Sequence, residues 1–199
     1  MTHRILIALV SLAAACGEPL SKSDRDFAMS HLHASRKLFL DAIAGLSEAQ
    51  WRYKPSPDRW SVAECAEHII LSEDLLFELA TVKVMQSPAQ PAKRSPSRDA
   101  DDKLIQRIVS RDQKGQAPEP LKPTNKWPDP RAAAAECNKK RDRTIDHVEK
   151  TEADLRSHFA GSPVGELDAY QYLLLLSAHT ERHVAQINEV KSGQGYPLK

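Results

Sequence analysis

The sequence contains little of what builds sheets, thiolate metal clusters or nucleic-acid surfaces. Seven glycines and few β-branched runs among 199 residues argue against an all-β fold. The three cysteines include no CxxC pair, so they predict no thiolate cluster of that type. Lys and Arg number 28 against 27 Asp and Glu. This balance leaves no positive excess for a nucleic-acid partner or a polybasic membrane surface.

Long apolar runs are missing as well, but the first fifteen residues have the pattern of an export signal. Arg4 precedes the apolar run Ile5–Leu12, which is too short to span a bilayer as a mature helix, and small residues follow up to Cys16. Two interpretations stay open. In the first, Cys16 is the lipidated first residue of a lipoprotein, and its lipid is the sole membrane anchor. In the second, Cys16 follows an ordinary secretory cleavage site. Both predict an exported protein of the cell envelope or a secreted one, with its domain in residues 16–199.

What the sequence does contain is apolar residues at helical spacing, which predict an all-α four-helix bundle. The second helix has a well-marked start, because Ser61 and Glu64 match a capping box; that role already accounts for Glu64. Asp129 and Pro130 suit the cap and first turn of the third helix. The four predicted helices cover about residues 24–46, 61–85, 130–151 and 168–193.

The connections between these helices differ in length. Residues 48–59 are expected to contain no helix, because two prolines lie there. Residues 87–130 hold most of the thirteen prolines and predict a long, irregular crossover between the second and third helices. Within it, residues 104–109 are amphipathic and fit one or two helical turns. Gly161, Pro163 and Gly165 are expected to break the chain before the fourth helix.

Two histidines, His179 and His183, lie four residues apart in the fourth predicted helix. At this spacing the Cβ atoms are about 5–6 Å apart on one face. Both imidazoles can then reach one zinc-like ion at about 2.0–2.1 Å. Leu175, Leu176 and Ile187 surround the pair at helical spacing, so it interrupts the inward-facing stripe. Buried ring nitrogens need partners, and a metal satisfies them. The same spacing also arises by chance, which leaves a structural role open.

A third ligand is expected from the second helix, where His68 lies beside the apolar face, three residues after Cys65. The sequence therefore predicts one divalent ion bound by His68, His179 and His183. The remaining five histidines lack this support and are predicted to be structural: His3, His31, His33, His147 and His158.

Two stretches resemble the DinB-like superfamily. They are Trp60–Glu64 followed by Glu67–Ile69, and the stretch Ala178–Ile187. The resemblance extends over about residues 24–192. It implies an up-down-down-up bundle with a long crossover. It also implies a three-histidine metal site formed by His68, His179 and His183.

The resemblance also implies a range of functions. Relatives include metal-dependent transferases that use small thiols, and isomerases with a thiol cofactor. Three neutral histidines leave a coordination position open, as in catalytic metal sites. The leading hypothesis is thus a metal-dependent hydrolase or transferase with an unknown small-molecule substrate, unassigned catalytic residues, and zinc or nickel as the ion. The alternatives are a non-catalytic module that binds a metal or a partner, and histidines that only hydrogen-bond each other. A homodimer is compatible with each.

Two cysteines, Cys65 and Cys137, lie among helix-forming residues. Buried free thiols are favoured. A disulfide is the alternative, since export permits one, but it requires a geometry that the sequence does not reveal.

Overall fold

The computed structural model describes residues 17–94, 97–112 and 115–198, and the predicted leader with Cys16 lies outside them. The predicted all-α four-helix bundle is confirmed. Its long helices are α1 (Lys22–Ile43), α3 (Val62–Glu78), α5 (Pro130–Lys150) and α6 (Ala169–Lys191). Between them lie the short helices α2 (Glu48–Arg52) and α4 (Arg98–Val109), and the strands β1 (Phe159–Ser162) and β2 (Gly165–Asp168).

Helices α1 and α6 run parallel. Near their starts, the Tyr170 hydroxyl donates to the Asp24 carbonyl at 2.8 Å. At their ends, the Lys191 ammonium donates to the Ala42 carbonyl at 2.7 Å. Two hydrogen bonds at opposite ends of the pair thus establish its direction and register.

The other two long helices run the opposite way. Val62 at the start of α3 shares an apolar cluster with Val190 at the end of α6. Residues just after α3 join the first half of α6 in a second cluster. Arg25 near the start of α1 donates to the Val148 carbonyl near the end of α5 at 2.6 Å. The topology is therefore up-down-down-up, with α5 and α6 each packed between α1 and α3.

Local capping explains where α3 and α5 begin. The Ser61 hydroxyl accepts from the Glu64 N–H at 3.1 Å, and Glu64 Oε2 accepts from the Ser61 N–H at 2.7 Å. This is the predicted capping box. Asp129 accepts from the Ala132 N–H at 2.9 Å, and Pro130 opens α5 as predicted.

The expectation that residues 48–59 contain no helix is wrong. Ser47 caps the five-residue helix α2 and forms a second capping box with Gln50. The first of the two prolines, Pro55, lies beyond the end of α2 at Arg52. The prolines therefore limit this helix but do not prevent it.

The connection from α3 to α5 is more ordered than expected. The helical path of α3 continues through a π-helical turn (Leu79–Lys83) and a 3₁₀ turn (Val84–Gln86). Where one or two turns were predicted, α4 is a twelve-residue helix. Its Leu104, Ile105 and Ile108 are buried in the core cluster that contains the first half of α6. Burial of this apolar face stabilises a helix that its length alone would not.

The residues expected to break the chain before α6 instead form a hairpin. Strands β1 and β2 pair antiparallel, with Ser162 opposite Gly165. Gly165 has φ +112°, a conformation that side chains rarely adopt. Within the described residues this is the single sheet, and none of the helices there combines the length and apolarity needed to cross a membrane.

Both described cysteines are buried free thiols, as favoured, and the disulfide alternative is wrong for this pair. Cys65 and Cys137 lie in the same apolar cluster. Burial raises the pKa of each thiol to about 12, so both stay protonated and unreactive at neutral pH.

Candidate metal centre

The antiparallel packing of α3 and α6 brings the three predicted histidines together. His179 Nε2 lies 3.2 Å from His68 Nε2 and 3.1 Å from His183 Nε2. A ligand atom from each ring lies within 4.8 Å of the others. His68 is buried, and the other two are partly exposed. Among the described residues it is the one group of three or more His, Cys, Asp or Glu side chains whose ligand atoms are placed to share a metal ion.

The spacing of these nitrogens suits a small tetrahedral ion. Zn–N bonds of about 2.0–2.1 Å at tetrahedral angles put two ligand nitrogens about 3.4 Å apart. The two distances to His179 Nε2 are a few tenths of an ångström shorter. An ion bound between these nitrogens would require each of these two pairs to separate by only a few tenths of an ångström.

Two of the rings are oriented by acceptors on their far side. His68 Nδ1 lies 2.9 Å from the Leu121 carbonyl oxygen, and His183 Nδ1 lies 2.9 Å from Gln186 Oε1. A carbonyl oxygen can only accept, so each Nδ1 carries the proton. Each Nε2 then presents a lone pair to the centre, in the arrangement usual for histidine ligands.

The surroundings keep these rings neutral. Burial lowers the pKa of His183 to about 3, and burial also lowers the pKa of His68. The pKa of His179 lies well below its ordinary value, because of burial first and then the charges of His183 and His68. Neutral imidazole is the form that binds a metal.

A purely hydrogen-bonded triad does not satisfy this arrangement. The Nε2 atoms of His68 and His183 both need a donor, and both face His179 Nε2. That nitrogen carries at most one proton, which cannot point well at both neighbours. A cation at the centre satisfies all three lone pairs, so the donor set fits a divalent ion better than a network without metal.

A family model described as the DinB superfamily matches residues 31–187, which include all three histidines. The chain belongs to the DinB superfamily. The predicted resemblance is thereby confirmed.

Two relatives from Bacillus subtilis give the membership more detail. The uncharacterized protein YuaE of strain 168 is 22% identical over 164 residues, which cover 82% of this chain and 96% of that protein. The solved structure of YfiT matches at a TM-score of 0.57 and 16% identity, over 89% of this chain and 91% of that chain. YfiT is described as "a probable metal-dependent hydrolase with an unusual four-helix bundle topology". At this identity the likeness establishes the DinB bundle and no reaction.

Around the DinB triad, one aromatic ring and several charges border the histidines. The centroid of the Trp60 ring lies 5.0 Å from that of the His68 ring and 6.3 Å from that of the His183 ring, on which it stacks. Arg111 donates to both carboxylate oxygens of Glu189, at 2.5 and 2.9 Å. The carbonyls of Ile108 and Ser110 accept from Arg182. These contacts hold the end of α4 against the second half of α6, which contains His183.

The described histidines predicted to be structural lie apart from the triad. His31 Nδ1 lies 3.8 Å from Glu181 Oε1, and His33 Nδ1 contacts the Arg36 guanidinium. His147 packs edge-on against Phe77, and His158 Nδ1 lies 2.7 Å from the Ser87 carbonyl oxygen. Glu64 is occupied too: its Oε1 accepts from Lys54 at 2.9 Å, in addition to its capping bond.

Two surface cavities of the DinB bundle lie away from the triad. One, of about 340 Å³, is lined by residues that include Phe77, Arg143 and His147. The other, of about 560 Å³, lies beside the start of α1 and is bordered by Arg94 and Arg98. The partly exposed side chains of His179 and His183 leave the triad accessible to solvent.

Of the two partners that orient the rings, one has a signal in the sequence and the other has none. The Leu121 carbonyl lies 53 residues from His68 along the chain, and no local pattern joins the two. Gln186 is three residues after His183, a spacing that identifies it as a helical neighbour of the ring.

Proposed function

We propose that this DinB-superfamily chain binds one divalent metal ion through His68, His179 and His183 and uses it as a hydrolase or group transferase. The observation that carries the proposal is the convergence of three Nε2 atoms, two of them on rings whose Nδ1 proton is held by an acceptor. The description of YfiT as a probable metal-dependent hydrolase supports the same reaction class. Zinc and nickel are the ions we propose, because both accept imidazole nitrogen.

The three histidines would hold the ion and leave coordination positions open. At such a position the ion would lower the pKa of a bound water or polarise a substrate oxygen. The chain itself supplies three neutral imidazoles and, in Trp60, an apolar ring beside His68 and His183. The partly exposed faces of His179 and His183 give a small molecule access to the open side.

A non-catalytic metal-binding module is the second candidate. It rests on the same three converging nitrogens, and the two cavities described above lie away from them. An enzyme needs a concave site beside the reacting atoms, whereas a binding module does not. Turnover of ester, amide or thiol-transfer substrates by the zinc- or nickel-loaded protein would favour the enzyme.

Metal binding is tested first by thermal unfolding with and without added Zn²⁺ or Ni²⁺. Binding to the folded state alone stabilises the protein by about 2.7 kcal/mol when free metal is a hundred times its dissociation constant. We expect His68→Ala, His179→Ala and His183→Ala each to remove most of this gain, because two imidazoles bind far more weakly than three.

The matched control is His33→Ala, which removes an exposed histidine from α1. It should keep the full metal-induced stabilisation. An equal gain in the wild type and in His179→Ala would place the ion elsewhere and refute the proposed function.

A further inference from the structure

A buried carboxylate beside the triad has no part in the metal site described so far. Glu67 precedes His68 in α3 and is 3% exposed. Its Oε1 accepts from the N–H and the hydroxyl of Thr124 at 2.9 and 3.0 Å. Its Oε2 accepts from the N–H of Lys126 at 2.9 Å. One side chain of α3 thus holds the loop that precedes α5 at two backbone positions.

The backbone of this loop has an unusual conformation. Asn125 has φ +64°, and it is the single described residue other than glycine with positive φ. Asparagine tolerates this left-handed conformation better than most residues. The turn leaves the N–H groups on either side of Asn125, at Thr124 and Lys126, both directed at Glu67. Such paired N–H groups form a natural seat for an anion.

The same loop supplies the acceptor that orients His68. Leu121 ends a 3₁₀ turn (Glu119–Leu121) only three residues before Thr124. Its carbonyl oxygen lies 2.9 Å from His68 Nδ1. Glu67 holds the loop at Thr124, and the loop places the Leu121 carbonyl. That carbonyl keeps the proton on Nδ1, which leaves the His68 Nε2 lone pair facing the triad.

We infer that Glu67 is a positioning residue of the metal site, which acts on His68 through the backbone of residues 121–126. This inference rests on the proposed function only for the effect of Glu67 on metal affinity. Its effect on the His68 ring exists in the metal-free protein as well. Partners that orient a ligand from outside the coordination sphere typically contribute 10–100-fold to metal affinity.

The first test measures the His68 tautomer by ¹⁵N nuclear magnetic resonance of the metal-free protein. The wild type should show His68 as a single Nδ1–H tautomer. Glu67→Gln preserves the size of the side chain but replaces one acceptor oxygen by an NH₂ group that faces an N–H. One end of the loop should then detach, and His68 should become a mixture of tautomers.

The second test measures Co²⁺ affinity and the Co²⁺ absorption spectrum. We expect Glu67→Gln to weaken Co²⁺ binding by about tenfold, the lower end of the range for such partners. The matched control is Glu73→Gln, which alters another buried carboxylate of α3. Glu73 accepts from Arg141 and Thr144 and does not hold the loop. It should lower the melting temperature while the His68 tautomer and the Co²⁺ spectrum stay unchanged.

A second pair of variants perturbs the loop from its own side, in case Glu67→Gln does not fold. Asn125→Ala strains the left-handed turn, whereas Asn125→Gly accepts it. The alanine variant should reproduce the loss of the single tautomer, and the glycine variant should not.

The outcomes separate this inference from the proposed function. Failure of the wild type to bind Zn²⁺, Ni²⁺ and Co²⁺ would refute the proposed function, and the tautomer measurement would still test the role of Glu67. A wild-type tautomer and wild-type Co²⁺ affinity in both Glu67→Gln and Asn125→Ala would overturn the inference.

Discussion

At the scale of single residues, the protonation of three histidines links stability to function. Burial lowers the pKa of His183 to about 3 and also lowers the pKa of His68 and His179. In the unfolded chain these rings titrate near 6.5. The folded protein therefore keeps its metal ligands neutral under mildly acidic conditions, where an exposed histidine would already be charged.

This difference predicts that the metal-free protein loses stability as the pH falls from about 6.5 towards 3. In that range the unfolded state binds protons that the folded triad does not, so the free energy of unfolding decreases. For His183 alone, the loss between pH 7 and pH 5 is on the order of 1–2 kcal/mol. Urea unfolding of the wild type and His183→Gln at the two pH values measures it, and the variant should lose less.

The comparison with His183→Gln is needed because the pKa of another buried group is raised, not lowered. Burial raises the pKa of Asp168 to about 7, and this group favours folding as the pH falls. Asp168 is present in both the wild type and His183→Gln, so its contribution cancels when their losses of stability are compared. His33→Gln should match the wild type, and equal losses in the wild type and His183→Gln would contradict the predicted cause.

At the scale of elements, α4 is attached to the bundle by a buried charge cluster. Asp101 of α4 accepts from the Arg156 guanidinium at 3.0 and 2.6 Å. Arg156 also donates to Asp24, which lies in the first turn of α1, and to Asp168, which caps the start of α6. All four side chains are buried. The cluster therefore joins α4 to the starts of α1 and α6.

We predict that Asp101→Ala destabilises the protein by about 1.5–3 kcal/mol, because it removes the hydrogen bonds that Asp101 accepts from the buried Arg156 guanidinium. Limited proteolysis should then cut the connection between α3 and α5 faster than in the wild type, since α4 is its main packed element. Asp99→Ala, on the exposed side of the same helix turn, should cost no more than about 1 kcal/mol. Equal losses for the two variants would show that the cluster does not hold α4.

At the scale of the whole molecule, one arginine in the middle of the bundle joins its own helix, α5, to the other three long helices. Arg141 of α5 donates to both oxygens of Glu73 on α3, at 2.9 and 2.8 Å. It also donates to the Leu32 carbonyl of α1 at 2.7 Å and to the Thr180 hydroxyl of α6 at 3.1 Å. Arg141 is fully buried.

We predict that Glu73→Leu costs about 3–5 kcal/mol in the free energy of unfolding, because it leaves the Arg141 charge buried without its carboxylate. Adding Arg141→Met should recover part of that loss, since the uncompensated charge is then absent as well. Urea unfolding of the two single variants and the double variant measures the coupling. Arg143→Ala, at a half-exposed position, serves as the control and should cost no more than about 1 kcal/mol. Additive losses in the double variant would exclude the coupling.

The parts of the fold that depend on neighbouring residues were predictable from the sequence. The caps at Ser61 and Asp129 are local hydrogen bonds, and both are present as predicted. The juxtaposition of His179 and His183 follows from helical spacing alone. The capping box of α2 was equally local, but the prediction for residues 48–59 rested on the two prolines that follow this helix.

The remaining features were decided by tertiary packing. His68 meets His179 because α3 and α6 run antiparallel, and the residues that ensure this are distributed over the whole core. The loop held by Glu67 and the burial of α4 join residues distant in sequence. Local hydrogen bonds and helical spacing involve residues within a few positions, so the sequence by itself determined the caps and the histidine pair. Burial of apolar faces involves partners distant along the chain, so only the tertiary structure decided which loop orients His68 and how the metal site is completed.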